Sequence, residues 1–232
     1  MIIHPLPIDG AALIEVEPFQ DHRGLFARFF CTRELGRLFG ERQIVNVNFS
    51  RTLQTGAIRG MHFQYPPHQE MKLVRCIRGA VFDVLIDLRP ESPYFLKWHG
   101  EILSAANMKM LCLPEGFAHG FQALEPASEM LYLHTAFYAP DAQGGLRYDD
   151  PAVGIDWPLE VTEISRKDAS HPLLTQGPNS LEATGADRGV GASGPPGHQE
   201  PVCRREEAEI VSLGFLAGEG PCPWLPEPKS TC

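Results

Sequence analysis

Two histidines and a lysine lie in short apolar segments where they could carry out proton-transfer chemistry. His62 is part of the extended run 59–64, and Lys72 opens a second apolar run just after a Pro66-Pro67 turn. His119 follows between turn residues further along the chain. General acid–base catalysis needs ionisable groups that meet in a pocket, although a single histidine in a strand is more often structural. The pattern therefore predicts a proton-transfer site, with structural histidines as the alternative.

Strand periodicity decides which side chains share a face with these groups. Successive side chains of a strand point to opposite faces, so His62 shares its face with Gly60 and Gln64. If that face lines a cavity, His62 meets the ligand there. Lys72 stands at the first position of the next strand, where it can either extend its ammonium to solvent or hold it over a developing oxyanion.

The composition excludes several classes of function. The formal net charge of the 232 residues is -9, which argues against nonspecific nucleic-acid binding. No apolar run approaches the roughly 20 residues that span a bilayer, and the N-terminus has no features of a secretory signal. None of the six cysteines forms a close pair of the metal-ligand type. We expect a reduced, cytoplasmic protein that has neither a nucleic-acid nor a membrane partner.

The order of apolar runs and turns predicts an all-β fold. A single helix is predicted over 31–40, with Thr32 as its N-cap and Gly40 as its end. Many short strands separated by glycine and proline turns favour a β-sandwich or barrel over a doubly wound α/β fold. A tight turn is predicted at Arg78-Gly79. The main predicted strands cover residues 44–48, 57–64, 72–77, 81–88, 98–104, 109–113, 120–124 and 129–138.

The C-terminal part of the chain has a different composition. Residues 176–232 contain nine glycines and eight prolines, a share of about 30% that is typical of low-complexity sequence. We therefore predict one folded domain over 1–172 and a disordered tail over 173–232. A species-specific interaction tail is the alternative.

A longer series of motifs extends over about residues 5–172 and has the pattern of one protein family. Each motif alone would be a weak signal, but their joint order and spacing form a strong one. The matching motifs are Asp21-x-Arg23-Gly24-x-Phe26, Arg59-Gly60-Met61-His62-Phe63-Gln64, Pro66-Pro67, Lys72-Leu73-Val74-Arg75, Gly79, Asp83-Val84-Leu85-Ile86-Asp87-Leu88-Arg89, Pro114-Glu115-Gly116-Phe117-Ala118-His119-Gly120-Phe121, Tyr132, Tyr138-x-Pro140, Asp149-Asp150-Pro151, Ile155-x-Trp157-Pro158 and Ser165-x-Lys167-Asp168.

These motifs together resemble the family of dTDP-4-dehydrorhamnose 3,5-epimerases, and the resemblance implies a specific fold and chemistry. It implies a dimeric cupin-type jelly roll that epimerises carbon 3, carbon 5 or both of a dTDP-4-keto-6-deoxyhexose, with no metal and no organic cofactor. His62 corresponds to the family's base, and Asp168 to the carboxylate that pairs with it. Lys72 corresponds to the residue that faces the 4-keto oxygen, and Tyr132 to the acid that returns a proton from the opposite face.

The resemblance also implies which residues bind the substrate. Arg59 falls on the wrong face under strict alternation, so its role needs a bulge at Gly60 or a ligand that spans the strand edge. Arg23 and Phe26 are expected to reach the pocket of a neighbouring subunit, and Asp83 is either an orienting carboxylate or a strand-face charge. The substrate-binding candidates are Arg23, Phe26, Asn48, Arg59, Gln64, His119 and Tyr138.

Three departures from the family pattern keep alternatives open. Arg28, Asn46 and Glu70 replace the commonest family residues, which puts the exact nucleotide and sugar in doubt. A sugar-nucleotide-binding cupin without catalysis is one alternative. A metal-dependent cupin enzyme is another, disfavoured because Gln64 stands where metal-binding cupins have a second histidine.

Overall fold

The computed structural model describes residues 1–174 of the chain, and nearly all of its regular structure is strand. The predicted tail lies outside the described residues, apart from its first two positions. Among residues 1–174, no helix is long and apolar enough to cross a membrane. The strands are β1 (Ile2–Pro5), β2 (Ala12–Glu15), β3 (Phe19–Asp21), β4 (Gly24–Phe26), β5 (Asn46–Thr52), β6 (Ile58–Gln64), β7 (Lys72–Arg78), β8 (Ala80–Asp87), β9 (Trp98–Ser104), β10 (Met110–Leu113), β11 (Phe117–Ala123), β12 (Ser128–His134) and β13 (Gln143–Gly145); the helices are α1 (Gly36–Phe39), a 3₁₀ turn (Pro140–Ala142) and α2 (Arg166–Ala169).

The strands form two large antiparallel sheets and one hairpin. The first sheet has the order β1-β2-β10-β7-β12-β5, and the second has the order β13-β6-β11-β8-β9. The strands β3 and β4 pair only with each other. Neighbours in each sheet are mostly distant in sequence, as in a jelly roll, so the predicted all-β, cupin-type fold with a few short helices is confirmed.

Alternation of apolar side chains builds the core between the two sheets. Val74 and Met130 of the first sheet pack with Leu85 and Phe121 of the second, and all four are nearly or fully buried. Burying each such side chain contributes roughly 1.5–3 kcal/mol of stability. Separate apolar clusters cover the outer face of each sheet. The inter-sheet core thus fixes how the two sheets face each other.

The predicted helix over 31–40 is much shorter in the structure. Helix α1 begins after Leu35, whose side chain makes no capping hydrogen bond, so Thr32 is not the N-cap. Leu35 and Phe39 instead bury their side chains in the apolar cluster outside the first sheet, and this packing sets the start of the helix. Gly40 ends the helix as predicted, with a φ of 58° and its N–H donating to the carbonyl of Gly36.

The predicted strands are present, and their ends differ by a few residues. Strand β9 has the predicted bounds, whereas β12 stops at His134 instead of residue 138. Beyond it, Thr135 turns to bond with Met71, and the segment that follows bonds to Gln64. The tight turn at Gly79 is confirmed between β7 and β8, with a φ of 72°.

A β-bulge interrupts the pairing of β6 with β11. His62 lies opposite His119, and Arg59 lies opposite Phe121, so three steps on β6 match two on β11. The bulge therefore contains Gly60, as the sequence required if Arg59 was to reach the site. A Cβ atom at Gly60 would lie 2.5 Å from the Cα atom of Gly120. Only glycine fits here, because the close neighbour is backbone and the φ is 122°.

We expect Gly60→Ala to lower the free energy of unfolding by about 2–4 kcal/mol, since neither backbone can yield. Urea unfolding followed by tryptophan fluorescence measures this. Gly36→Ala is the matched control, because a Cβ at Gly36 meets no atom within 4 Å. Its stability should stay the same or rise by up to about 1 kcal/mol. Equal stabilities of the two variants would contradict the close approach.

Candidate active site

A cavity of roughly 740 Å³ contains most of the residues that the sequence singled out. His62 and His119 reach it from the second sheet, Lys72 and Tyr132 from the first, and Asp168 from α2. Asn48 and Arg59 also line it. The cavity therefore has one wall from each sheet, with ionisable groups on both.

His62 and Asp168 form a hydrogen-bonded pair at the cavity. The Nε2 atom of His62 lies 2.7 Å from Oδ1 of Asp168, and the other carboxylate oxygen accepts from the N–H of Gly60 at 3.4 Å. Asp168 is placed by Ser165, whose hydroxyl accepts from the Asp168 N–H at the start of α2. Burial would raise the pKa of Asp168, but the interaction with His62 and the hydrogen bonds with Gly60 and Ser165 together outweigh it and hold the pKa below its ordinary value.

Tyr132 stands on the opposite wall as a neutral phenol. Its hydroxyl is 2.8 Å from the hydroxyl of Ser50, and its ring packs edge-on against His119 with centroids 6.1 Å apart. Burial raises the pKa of Tyr132 well above its ordinary value, and the hydrogen bond with Ser50 only partly opposes this. The phenol therefore keeps its proton at neutral pH and can donate it.

His119 is held by a second carboxylate. Its Nε2 atom lies 2.9 and 3.0 Å from the two oxygens of Asp83, which is fully buried. Burial raises the pKa of Asp83, opposed by the nearby His119 and Lys72. Asp83 is thus an orienting carboxylate and not a mere strand-face charge.

Cationic side chains lie at the cavity rim. Arg59 donates from Nε to the hydroxyl of Thr52 at 2.9 Å and from a terminal nitrogen to the carbonyl of Arg51 at 3.2 Å. Lys167, next to Asp168, donates to Gln143. Fixed guanidinium and ammonium groups of this kind suit a phosphate-bearing ligand.

Four predicted substrate-binding residues do not line the cavity. Gln64 is buried and uses its amide on the backbone of His68, Phe137 and Ala139, so it shapes a loop instead of facing a ligand. The Tyr138 hydroxyl donates to Gln143, and its ring is exposed. Arg23 and Phe26 lie on the exposed β3–β4 hairpin, where Arg23 pairs with Asp21 at 2.6 Å.

Sequence reasoning missed several polar residues of the cavity wall, among them Ser50 and His134. The signal was available in the two-residue period of the strands: Ser50 shares a face of β5 with Asn48, and His134 shares a face of β12 with Tyr132. Among residues 1–174, no three His, Cys, Asp or Glu side chains lie close enough to hold a metal ion together.

Two antiparallel sheets that enclose a polar cavity define the chain as a cupin-type protein. Comparisons with known proteins define its family. Residues 5–176 match the family model described as dTDP-4-dehydrorhamnose 3,5-epimerase. A dTDP-4-dehydrorhamnose 3,5-epimerase from Salmonella typhimurium is 41% identical over 178 residues, which are 76% of this chain and 97% of that relative. The chain therefore belongs to the dTDP-4-dehydrorhamnose 3,5-epimerase family of isomerases.

Two further similar proteins show which carbons members of the family are named for. A crystal structure of a 3,5-epimerase from Legionella pneumophila in complex with dTDP-4-keto-L-rhamnose is similar with a TM-score of 0.70 and 39% identity, covering 74% of this chain and 92% of that one. A dTDP-4-dehydrorhamnose 3-epimerase from Streptomyces niveus is 34% identical over 177 residues, which are 76% of this chain and 85% of that relative. The family thus includes relatives named for one carbon as well as for two.

The depressed pKa of Asp168 gives a testable pH dependence. A carboxylate with a lowered folded-state pKa stabilises the fold above its unfolded value of about 3.9, and this stability is lost as pH falls through the folded value. The stability advantage of wild type over Asp168→Asn should therefore be present above pH about 4 and shrink as the pH falls below it. Urea titrations from pH 7 to pH 3 measure it.

Asp156→Asn is the control, because Asp156 is exposed and lies outside the cavity lining. Its stability should differ little from that of wild type at every pH. An advantage of wild type over Asp168→Asn that stays unchanged down to pH 3 would show that the charge of Asp168 does not stabilise the fold.

Proposed function

We propose that this protein inverts carbon 3 and carbon 5 of a dTDP-4-keto-6-deoxyhexose by removing and returning protons through an enolate. The observation that carries the proposal is the shared cavity in which the His62–Asp168 pair faces Lys72 and Tyr132 across the gap between the sheets. The greater similarity to a 3,5-epimerase than to a 3-epimerase supports inversion at both carbons.

His62 acts as the base. Its Nε2 is engaged by Asp168 at 2.7 Å, so Nδ1 is the nitrogen that accepts a proton from the carbon beside the ketone. The ionised Asp168 then stabilises the imidazolium that forms, and it holds the ring in place before the reaction. A positioned base of this kind contributes about 10²–10⁴-fold to the rate.

Lys72 stabilises the enolate. Protons beside a ketone become acidic enough to remove only if the negative charge on the oxygen is stabilised. The Lys72 ammonium, on a side chain only 11% exposed, supplies that charge in a region with little water. One such interaction is worth several kcal/mol in the transition state.

Tyr132 returns the proton from the other face. Inversion requires removal on one side of the sugar and delivery on the other. His62 belongs to the second sheet and Tyr132 to the first, so a sugar between the sheets has one of them on each face. The raised pKa of Tyr132 keeps the phenol protonated until the carbanion needs it.

A second copy of the chain completes the nucleotide site in this proposal. Arg23 and Phe26 project from a small exposed hairpin, where Phe26 is 69% exposed. The edge strand β5 also exposes apolar side chains, among them Val47 and Phe49. A homodimer would cover these surfaces and let the hairpin reach the neighbouring cavity beside Arg59. The free cysteines of the described part support a cytoplasmic location.

The direct test is deuterium incorporation from heavy water into dTDP-4-keto-6-deoxyglucose, followed by NMR and mass spectrometry. We expect exchange at both carbons, and loss of about 10²–10⁴-fold in rate for His62→Ala. His4→Ala is the control, because His4 is exposed on β1 and pairs with Glu15.

Tyr132→Phe should keep the initial exchange but slow formation of the inverted product, since it removes only the returning acid.

Each outcome separates the candidate functions. Binding of the nucleotide sugar without exchange would favour a non-catalytic cupin over the epimerase. Exchange at carbon 3 alone would assign a single inversion. Activity lost to a chelator, with a stoichiometric metal found by elemental analysis, would favour the metal-dependent enzyme.

Mixed dimers test whether Arg23 serves the neighbouring subunit. Arg23→Ala and His62→Ala homodimers should each be impaired, whereas a mixed dimer has one site with both residues intact. Random exchange of equal amounts should therefore restore about a quarter of the wild-type exchange rate. If Arg23 acted within its own subunit, mixing would restore no activity beyond the average of the two variants.

A further inference from the structure

A chain of hydrogen bonds lies behind Lys72. Its ammonium is 3.0 Å from Oε1 of Glu70. The other Glu70 oxygen, Oε2, accepts from Nδ1 of His134 at 2.7 Å. The Nε2 atom of His134 is 3.2 Å from the side-chain nitrogen of Asn48. The chain therefore connects β5, β12 and the start of β7 along one cavity wall.

The proton positions in this chain follow from the partners. An ionised carboxylate only accepts hydrogen bonds, so His134 must carry a proton on Nδ1. Its Nε2 can then accept from the Asn48 amide, which requires a neutral ring. Burial would raise the pKa of Glu70, but the hydrogen bond from His134 and the charge of Lys72 oppose this, and the pKa lies below its ordinary value.

We infer that Glu70 is a positioning residue for Lys72, and that His134 and Asn48 fix the Glu70 carboxylate in the orientation this requires. The inference rests on the proposed function, because it assigns Glu70 a task in holding the group that stabilises the enolate. Lys72, His134 and Asn48 line the cavity, whereas Glu70 lies behind them and acts through Lys72.

The Lys72 ammonium must be paired with a negative charge and must also remain available to the enolate. An ammonium on a side chain only 11% exposed needs a partner, since an unpaired buried charge is strongly destabilising. A carboxylate bound only to Lys72 would compete with the enolate for it. Because Glu70 shares its charge with His134, one ammonium hydrogen satisfies it and two remain for the substrate.

The other ionisable groups near Lys72 have partners of their own. Asp83 on β8 is close enough to interact with Lys72 electrostatically, but both of its oxygens bind His119. Tyr132 on β12 is bonded to Ser50. Among the described residues, the carboxylate that forms an ion pair with Lys72 is thus that of Glu70.

Two substitutions at Glu70 test the inference through deuterium exchange. Glu70→Ala removes the acceptor and should lower kcat by about tenfold or more with KM within about twofold, because the nucleotide is held elsewhere. Glu70→Gln keeps an oxygen for Lys72 and should recover kcat to within about threefold of wild type. A merely structural role would not separate kcat from KM in this way.

Glu101→Ala is the matched control. Glu101 also bridges a lysine and a histidine, since it lies 2.8 Å from Lys109 and 3.9 Å from His99, but it stands on β9 outside the cavity lining. Its kcat and KM should both match wild type. A folded Glu70→Ala with wild-type kcat, or a Glu70→Gln as slow as Glu70→Ala, would overturn the inference.

A spectroscopic readout needs no turnover. The ¹⁵N spectrum of the imidazole side chains, with His134 assigned by its loss in His134→Leu, should show the Nδ1-protonated neutral ring in wild type. In Glu70→Gln the amide turns to His134, whose proton should then move to Nε2. A wild-type ring protonated only on Nε2 overturns the inference, even if Glu70→Ala fails to fold. Absent exchange in wild type would instead count against the proposed function.

Discussion

The hydrogen bond between His62 and Asp168 depends on a segment that closes one edge of the second sheet. Ile58, at the start of β6, donates to the carbonyl of Glu163 and forms an isolated bridge with Ile164. The Gln122 side chain bonds to the backbone of Leu159 in both directions. These contacts bring the Asp168 carboxylate to the His62 imidazole, which lies 106 positions earlier in the chain. Without them Asp168 would not reach the cavity beside His62.

Pairing of buried polar groups fixes the orientation of side chains in the rest of the cavity. Asp83 pairs with His119, Glu70 with Lys72 and His134, and Tyr132 with Ser50. The first and last of these pairs join neighbouring strands. Glu70 lies just before β7 and connects Lys72 to His134 of β12. Groups removed from water must find such partners. The site is thus organised before a ligand arrives, which is what electrostatic stabilisation of an enolate requires.

The sequence predicts the wall residues only where strand alternation holds. Alternation placed His62 correctly and failed for Gln64, because that amide satisfies the backbone of the loop after β12. Arg59 reaches the cavity through a bulge, which depends on the contact between Gly60 and a distant strand. Long-range partners such as Asp168 could be predicted only from the family resemblance, since no local pattern encodes contacts across the fold.

The division of the polar groups between two sheets argues for catalysis over binding alone. A ligand can be held from one side, and a binding cavity gains nothing from a buried phenol opposite an imidazole. Burying such groups instead opposes stability unless each is paired. In this chain the proposed base His62 and the proposed acid Tyr132 lie on opposite sheets, and the Lys72 ammonium lies on the same sheet as Tyr132. That placement matches what inversion of a carbon beside a ketone demands, and simple recognition of a sugar leaves it unexplained.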